Sequence, residues 1–155
     1  MMTHLTSKVL QVLAGKTLAT AESCTGGMIG ELLTAIPGSS AVYKGGIISY
    51  TNEIKHNLLG VEEILLEKEG AVSAPVAKAM AEGARRVLNA DIAVSVTGLA
   101  GPGGDDQGNP VGTVYIGYAD EKGKEAICFH FDGDRDAVRT QAAEAALTMV
   151  LSKNT

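Results

Sequence analysis

Ile92-Ala93-Val94-Ser95-Val96 is apolar almost without interruption, the pattern of a strand covered on both faces. Such a strand belongs to a sheet with helices on either side, and the intervals along the chain supply them. Residues 3–14 carry Leu5, Val9, Leu10 and Leu13 at helical spacing behind Thr3 or Thr6 as caps, and Gly15 stops the run. Thr17–Ala21 reads as a short first strand, and a second helix runs from about Met28 to Thr34. Gly46–Tyr50 reads as another strand, with Ile47 and Ile48 adjacent as if buried on both faces. Thr51-Asn52 opens a helix holding Ile54, Leu58 and Leu59, which Gly60 ends. Val61–Lys68 forms a short helix, and Ser73 with Pro75 starts a longer one reaching about Asn89. After Ile92–Val96 comes a glycine-rich loop from Gly98 to Gly112. A hairpin of Thr113–Tyr118 and Glu125–Phe131 follows, turned at Asp120-Glu121-Lys122-Gly123, and Asp134 caps a last helix, Ala137–Leu151. The expected fold is α/β, a single-domain three-layer α/β/α sandwich with a mixed sheet. It takes in residues 1–155, close to the usual domain size of about 100–150 residues.

Composition narrows the function classes. With a formal net charge of −5 the chain has no excess of cations for broad nucleic-acid or anionic-membrane binding, although a local anion site is compatible with it. Tryptophan is absent and aromatics make up 4%, which argues against a base-stacking platform. No apolar run reaches the roughly 20 residues that span a bilayer. Met1-Met2-Thr3-His4 lacks the basic-then-apolar layout of a secretion signal. Cys24 and Cys128 make no disulfide framework and suit a reducing compartment. The expectation is a cytoplasmic protein with neither nucleic acid nor membrane as partner.

In sheets of this kind ligands gather at the loops leaving the carboxyl ends of the strands. Three segments fall there: Glu22–Gly27, Asn52–Lys55 and Thr97–Gly104. Glu22-Ser23-Cys24-Thr25-Gly26-Gly27 leaves a strand and starts a helix, bringing N–H groups and small hydroxyls to a positive helix end. Simple capping by Ser23 or Thr25 explains the same residues and is compatible with a site. Thr97–Gly104 matches neither a Walker A loop nor G-x-G-x-x-G, and reads equally as a long turn or as a backbone cradle for an anion. Pro37-Gly38-Ser39-Ser40 offers two hydroxyls on a turn. Lys55 is by type a surface residue, yet a partly buried lysine can lose its proton and activate a serine. Spacing alone does not choose among Ser23, Ser39 and Ser40, or between Lys55 and Lys44. His4, His56 and His130 are scattered, so a transition-metal site is not expected. Arg135, between acids at a helix start where cations are disfavoured, reads either as a surface ion pair or as a ligand for phosphate.

Glu22–Gly27, Pro37–Ser40, the segment Gly45–Lys55, Gly70–Ser73, Thr97–Gly104, Pro110–Val114 and Gly133-Asp134-Arg135 occur in an order and spacing that resemble the CinA family. The likeness runs along nearly the whole chain and is nearest to the stand-alone C-terminal domain, the nicotinamide-nucleotide amidohydrolase (PncC) type. The resemblance implies hydrolysis of the carboxamide of nicotinamide mononucleotide to nicotinate mononucleotide and ammonia, within NAD recycling, with no cofactor and no metal. It implies Ser40 as nucleophile, Lys55 as base, Tyr50 orienting that lysine, and Ser23 beside the reacting carbonyl. Thr25, Gly26, Gly27, Gly98, Ala100, Gly101 and Arg135 would bind the substrate, the last at its phosphate. It also implies a homo-oligomer, a dimer being favoured. Larger members carry an N-terminal domain related to molybdopterin-binding folds, and no pyrophosphatase role tied to that domain is expected of these residues.

The chemistry is self-consistent. An amide needs a nucleophile, a proton shuttle and donors for the tetrahedral oxyanion. Neutral Lys55 can take the serine proton and return it to leaving ammonia, which requires a pKa lowered to about 7–8. N–H groups near Ser23–Gly27 are the expected oxyanion donors. Two rival readings make distinct demands. A cysteine hydrolase needs Cys24 as a low-pKa thiolate at the helix start, with His56 or His130. A non-enzymatic regulatory module, linked to competence, binds the nucleotide without releasing ammonia.

Overall fold

The computed structural model describes residues 2–155. Its helices are α1 (Met2–Val12), α2 (Met28–Thr34), α3 (Asn52–Leu59), α4 (Glu63–Glu69), α5 (Ala74–Val87) and α6 (Arg135–Lys153). Its strands are β1 (Leu18–Glu22), β2 (Tyr43–Ile48), β3 (Ile92–Gly98), β4 (Thr113–Asp120) and β5 (Gly123–His130). The sheet runs β2-β1-β3-β4-β5. β1 is parallel to both β2 and β3, and the β4–β5 hairpin extends the sheet antiparallel to β3.

Side-chain alternation along the central strands separates two cores. Leu18, Ile92, Val94 and Val96 face one side with Ile29 and Leu33 of α2 and Val138, Ala142 and Leu147 of α6. Ala19, Ala21 and Ala93 face the other with Leu59, Leu66, Val76 and Met80. The result is the expected α/β/α sandwich. Small residues on the second face let α5 lie close to the sheet, where the Ser95 hydroxyl donates to Ala77 O at 2.6 Å.

β2 differs from expectation. It spans Tyr43–Ile48, ends before Tyr50, and alternates half-buried with exposed positions. Ile48 is 56% exposed. Two adjacent isoleucines read as a strand buried on both faces, but β2 is an edge strand and places only Ile47 against a core.

The connections create the crevice. The chain leaves β1 through α2 on one face to reach β2. It then returns over the opposite face through α3, α4 and α5 to β3, on the other side of β1. Loops leaving β1 and β3 therefore diverge, the condition for a ligand cleft at the strands' carboxyl ends.

Candidate active site

Ser23 follows directly on β1 and is fixed by its own N–H, which donates to Val96 O of the neighbouring strand at 3.0 Å. Lys55 lies one turn into α3, a helix started by Thr51, whose hydroxyl accepts from the Ile54 N–H. Parallel pairing of β1 with β2, Glu22 opposite Ile48, brings the two exits side by side. Ser49 strengthens this, donating from its N–H to Glu22 O at 2.8 Å.

Lys55 is 1% exposed. Its Nζ is 3.1 Å from Ser23 Oγ, 2.8 Å from Ser49 O and 3.2 Å from Tyr50 O. Burial lowers its pKa from 10.5 to about 8, against a weak opposing pull from Cys24. A protonated ammonium satisfies all three acceptors with its three N–H groups. The neutral amine has two N–H groups for the two carbonyls and one lone pair, which then faces the Ser23 hydroxyl. Among the described residues the arrangement thus presents the lysine lone pair to a serine and to no other side chain.

A cavity of about 650 Å³ opens over this pair, within the usual ligand-site range of about 300–1,000 Å³. Ser23, Cys24, Tyr50 and Lys55 form one wall, and Gly98, Ala100 and Gly101 another. Arg135 stands at its rim, donating from Nη1 to Gly101 O at 2.6 Å and from Nη2 to the Tyr50 hydroxyl at 3.3 Å. Glu67 and Asp106 also line it, as does Asp105. Asp105 is committed to the loop, accepting from Asn109 Nδ2 at 2.8 Å and Asn109 N at 3.0 Å.

Ser40 is not part of this site. It is exposed in a 3-10 turn, Ser39–Ala41, at the amino end of β2. Lys55 follows the carboxyl end of the same strand, and six extended residues span about 20 Å. The pairing of Ser40 with Lys55 is therefore corrected to Ser23 with Lys55. Lys44 points elsewhere too, donating to Asn89 O at 3.1 Å. Tyr50 holds the lysine through its carbonyl, whereas its phenol, 59% exposed in the whole residue, meets Arg135.

Gly26 and Gly27 turn the chain with φ of 59° and 108°, backbone that a side chain disfavours. Neither they nor Thr25 line the cavity. The helix-start donors expected for a ligand anion are largely used internally. The buried Glu22 carboxylate accepts from the N–H groups of Gly27, Ile29 and Gly30 at 3.0–3.1 Å, and Gly26 N–H donates to Ser23 O at 3.0 Å. In the sequence Glu22 is legible only as a motif residue; an acid six residues ahead of a helix, able to fold back on the helix's first N–H groups, is the signal that assigns it to the backbone.

The Thr25 hydroxyl is fully buried and has no hydrogen-bond partner among the described residues. Thr25→Val keeps its shape and removes an unsatisfied polar atom, so stability is expected to be unchanged or to rise by about 1 kcal/mol, with Tm unchanged or higher. A clear fall in Tm would mean that the hydroxyl has a partner in solution.

Cys24 contradicts the thiolate reading. Burial pushes its thiol up to about 11, outweighing the pull of Arg139 and Lys55. His56 is engaged elsewhere, with Nδ1 2.7 Å from Val61 O and Nε2 3.1 Å from Glu63 Oε1. Among the described residues no group of three or more His, Cys, Asp or Glu converges to hold a metal ion, and no helix is long and apolar enough to cross a membrane.

The model of the CinA C-terminal domain matches residues 2–153. The chain belongs to the CinA family. A CinA-like protein of Geobacter metallireducens is 54% identical over 133 residues, covering 86% of this chain and 32% of its own length. The CinA-like protein of Geobacter sulfurreducens is 53% identical over the same share. The chain thus spans about a third of the length of the curated relatives it matches. Among solved structures, the competence damage-inducible protein A of Klebsiella pneumoniae superposes with a TM-score of 0.96 at 35% identity, over 98% of this chain and 96% of its own. The competence/damage inducible protein CihA of Agrobacterium tumefaciens gives 0.92 at 38% identity, over 99% of this chain and 96% of its own. The CinA fold is therefore the fold of this chain.

Proposed function

We propose that this CinA domain is an amidohydrolase that converts nicotinamide mononucleotide to nicotinate mononucleotide and ammonia, with Ser23 as nucleophile and Lys55 as proton shuttle. The observation that carries the reading is the buried Lys55 Nζ, held by Ser49 O and Tyr50 O against Ser23 Oγ. Ser23 Oγ attacks the carboxamide carbon while its proton passes to neutral Lys55. Lys55 then gives that proton to the departing nitrogen, which leaves as ammonia, and the acyl chain remains as an ester on Ser23. Water attacks the ester, its proton passing to Lys55. Collapse releases the carboxylate, and the lysine proton returns to Ser23.

The substrate assignment is supported by charge placement. Glu67 and Asp106 line the cavity and favour a cationic pyridinium ring. Arg135 at the rim favours a phosphate. Two of its N–H donors go to Gly101 O and Tyr50 Oη, which leaves the rest of the fork for phosphate oxygens.

The test is ammonia release by the purified domain from the mononucleotide, with and without a chelator. Release is expected in both, since no step above uses a metal. Binding without release would leave a nucleotide-binding module in its place. In the same assay Arg135→Ala is expected to lower kcat/KM for the mononucleotide relative to nicotinamide riboside by about 10- to 100-fold, the loss of one charge-assisted contact of about 1.5–3 kcal/mol. An unmoved ratio would make Arg135 a structural link between Gly101 and Tyr50.

A further inference from the structure

Glu22 and Arg139 grip the turn behind Ser23 from outside the cavity. The Glu22 carboxylate ties its far end to the start of α2. Arg139, in the second turn of α6, donates from Nε to Cys24 O at 2.9 Å and from Nη2 to Thr25 O at 3.1 Å. One guanidinium thus takes two successive carbonyls. Among the described residues its charge has only a distant counterion, Asp136, 4.0 Å from Nη1 and exposed.

The direction of the remaining N–H groups follows from peptide geometry. In a trans peptide the N–H points opposite to the carbonyl. Ser23 O turns inward to accept from Gly26 N, so the Cys24 N–H faces out of the turn. The Cys24 N–H donates to no backbone or side-chain oxygen among the described residues, and Cys24 lines the cavity beside Ser23. The residue after a nucleophile is a recurrent source of an oxyanion donor.

We propose that Arg139 is a positioning residue that holds the 23–26 turn so that the Cys24 N–H receives the oxyanion formed when Ser23 attacks. The proposal rests on the Ser23–Lys55 reading. The guanidinium reaches the Cys24 N–H through a chain: it holds the carbonyl of the Thr25–Gly26 peptide, the Gly26 N–H of that peptide holds Ser23 O, and Ser23 O belongs to the peptide that carries the Cys24 N–H, so each link orients and polarises the next. Arg139 does not line the cavity, so its effect on the reaction passes through the turn. A group that serves only the tetrahedral state changes kcat and leaves substrate binding alone.

The experiment compares wild type, Ser23→Ala, Arg139→Lys and Arg139→Ala on nicotinamide mononucleotide. Loss of one oxyanion donor costs about 10²–10³ in kcat. Arg139→Ala should cost about 30- to 100-fold in kcat, with KM within about threefold of wild type. Arg139→Lys restores one charged donor and should recover about tenfold of that loss. If Arg139→Ala does not fold, Arg139→Lys alone carries the test, with an expected loss of about threefold to tenfold in kcat at constant KM. Unchanged kcat in the folded variants overturns the proposal, as does a rise in KM at constant kcat, which would mark a phosphate ligand. If wild type releases no ammonia, or Ser23→Ala still does, the Ser23–Lys55 reading itself falls and takes this proposal with it.

Discussion

Ser23→Ala and Lys55→Ala are each expected to lower ammonia release by at least about three orders of magnitude, while Ser40→Ala stays within about twofold of wild type. The asymmetry follows from placement. Ser23 Oγ is the one side-chain atom on Lys55 Nζ, at 3.1 Å, whereas Ser40 lies at the opposite end of β2 in an exposed turn. In the proposed reaction Ser23 and Lys55 act as one unit, so the double variant should be little worse than either single one. The fold should survive Ser23→Ala, because the contacts that fix this position are made by its backbone: its N–H on Val96 O, and its carbonyl accepting from Gly26 N. Circular dichroism and Tm check that separately from turnover. A large loss in Ser40→Ala with turnover kept in Ser23→Ala would return the nucleophile to the 39–40 turn.

The logarithm of kcat/KM should rise with pH at unit slope up to about 8 and then level. In the proposed reaction Lys55 serves as base only when neutral, and burial holds its pKa at about 8 rather than 10.5. Protonation below that value removes the lone pair, so activity at pH 6 should be about 1% of the plateau. The sign is diagnostic: a lysine required as a cation would give a profile that is flat here and falls above pH 8. Nicotinamide riboside is the better substrate for this measurement, because the mononucleotide phosphate itself titrates near pH 6. Lys55→Arg, which keeps its charge across the range, should be inactive throughout. Cys24→Ser should keep the same limb, since a thiol at about 11 contributes almost no thiolate near neutrality. A flat profile from pH 6 to 9 would remove Lys55 from the role of base.

Much of the frame was legible in the chain. The apolar run Ile92–Val96 became β3, the centre of the sheet, and α2 begins and ends at Met28 and Thr34 as its pattern predicts. The Thr51 and Asp134 caps are present, with their side chains accepting from Ile54 N and Ala137 N. These are local properties, set by hydrogen bonding within a turn or by side-chain periodicity, and a sequence carries them without help. The segments that meet at the cavity were also legible, because any strand that feeds a glycine-rich or helix-starting loop delivers it to the carboxyl edge.

What the residues by themselves left open was settled by pairing across the sheet. Ile47 and Ile48 look alike in sequence, and only the edge position of β2 exposes one of them. Ser23 and Ser40 are both hydroxyls on turns. The choice between them depends on which end of β2 each turn occupies, and so on the parallel register of Glu22 with Ile48. Lys55 is by type a surface residue, and its charge is disfavoured because α3 sinks it among two carbonyls and a serine where water cannot solvate it. Arg139 reads as one more cation on a helix face. Its grip on Cys24 O and Thr25 O joins residues more than a hundred positions apart, and a contact of that range exists only once α6 has packed over the turn.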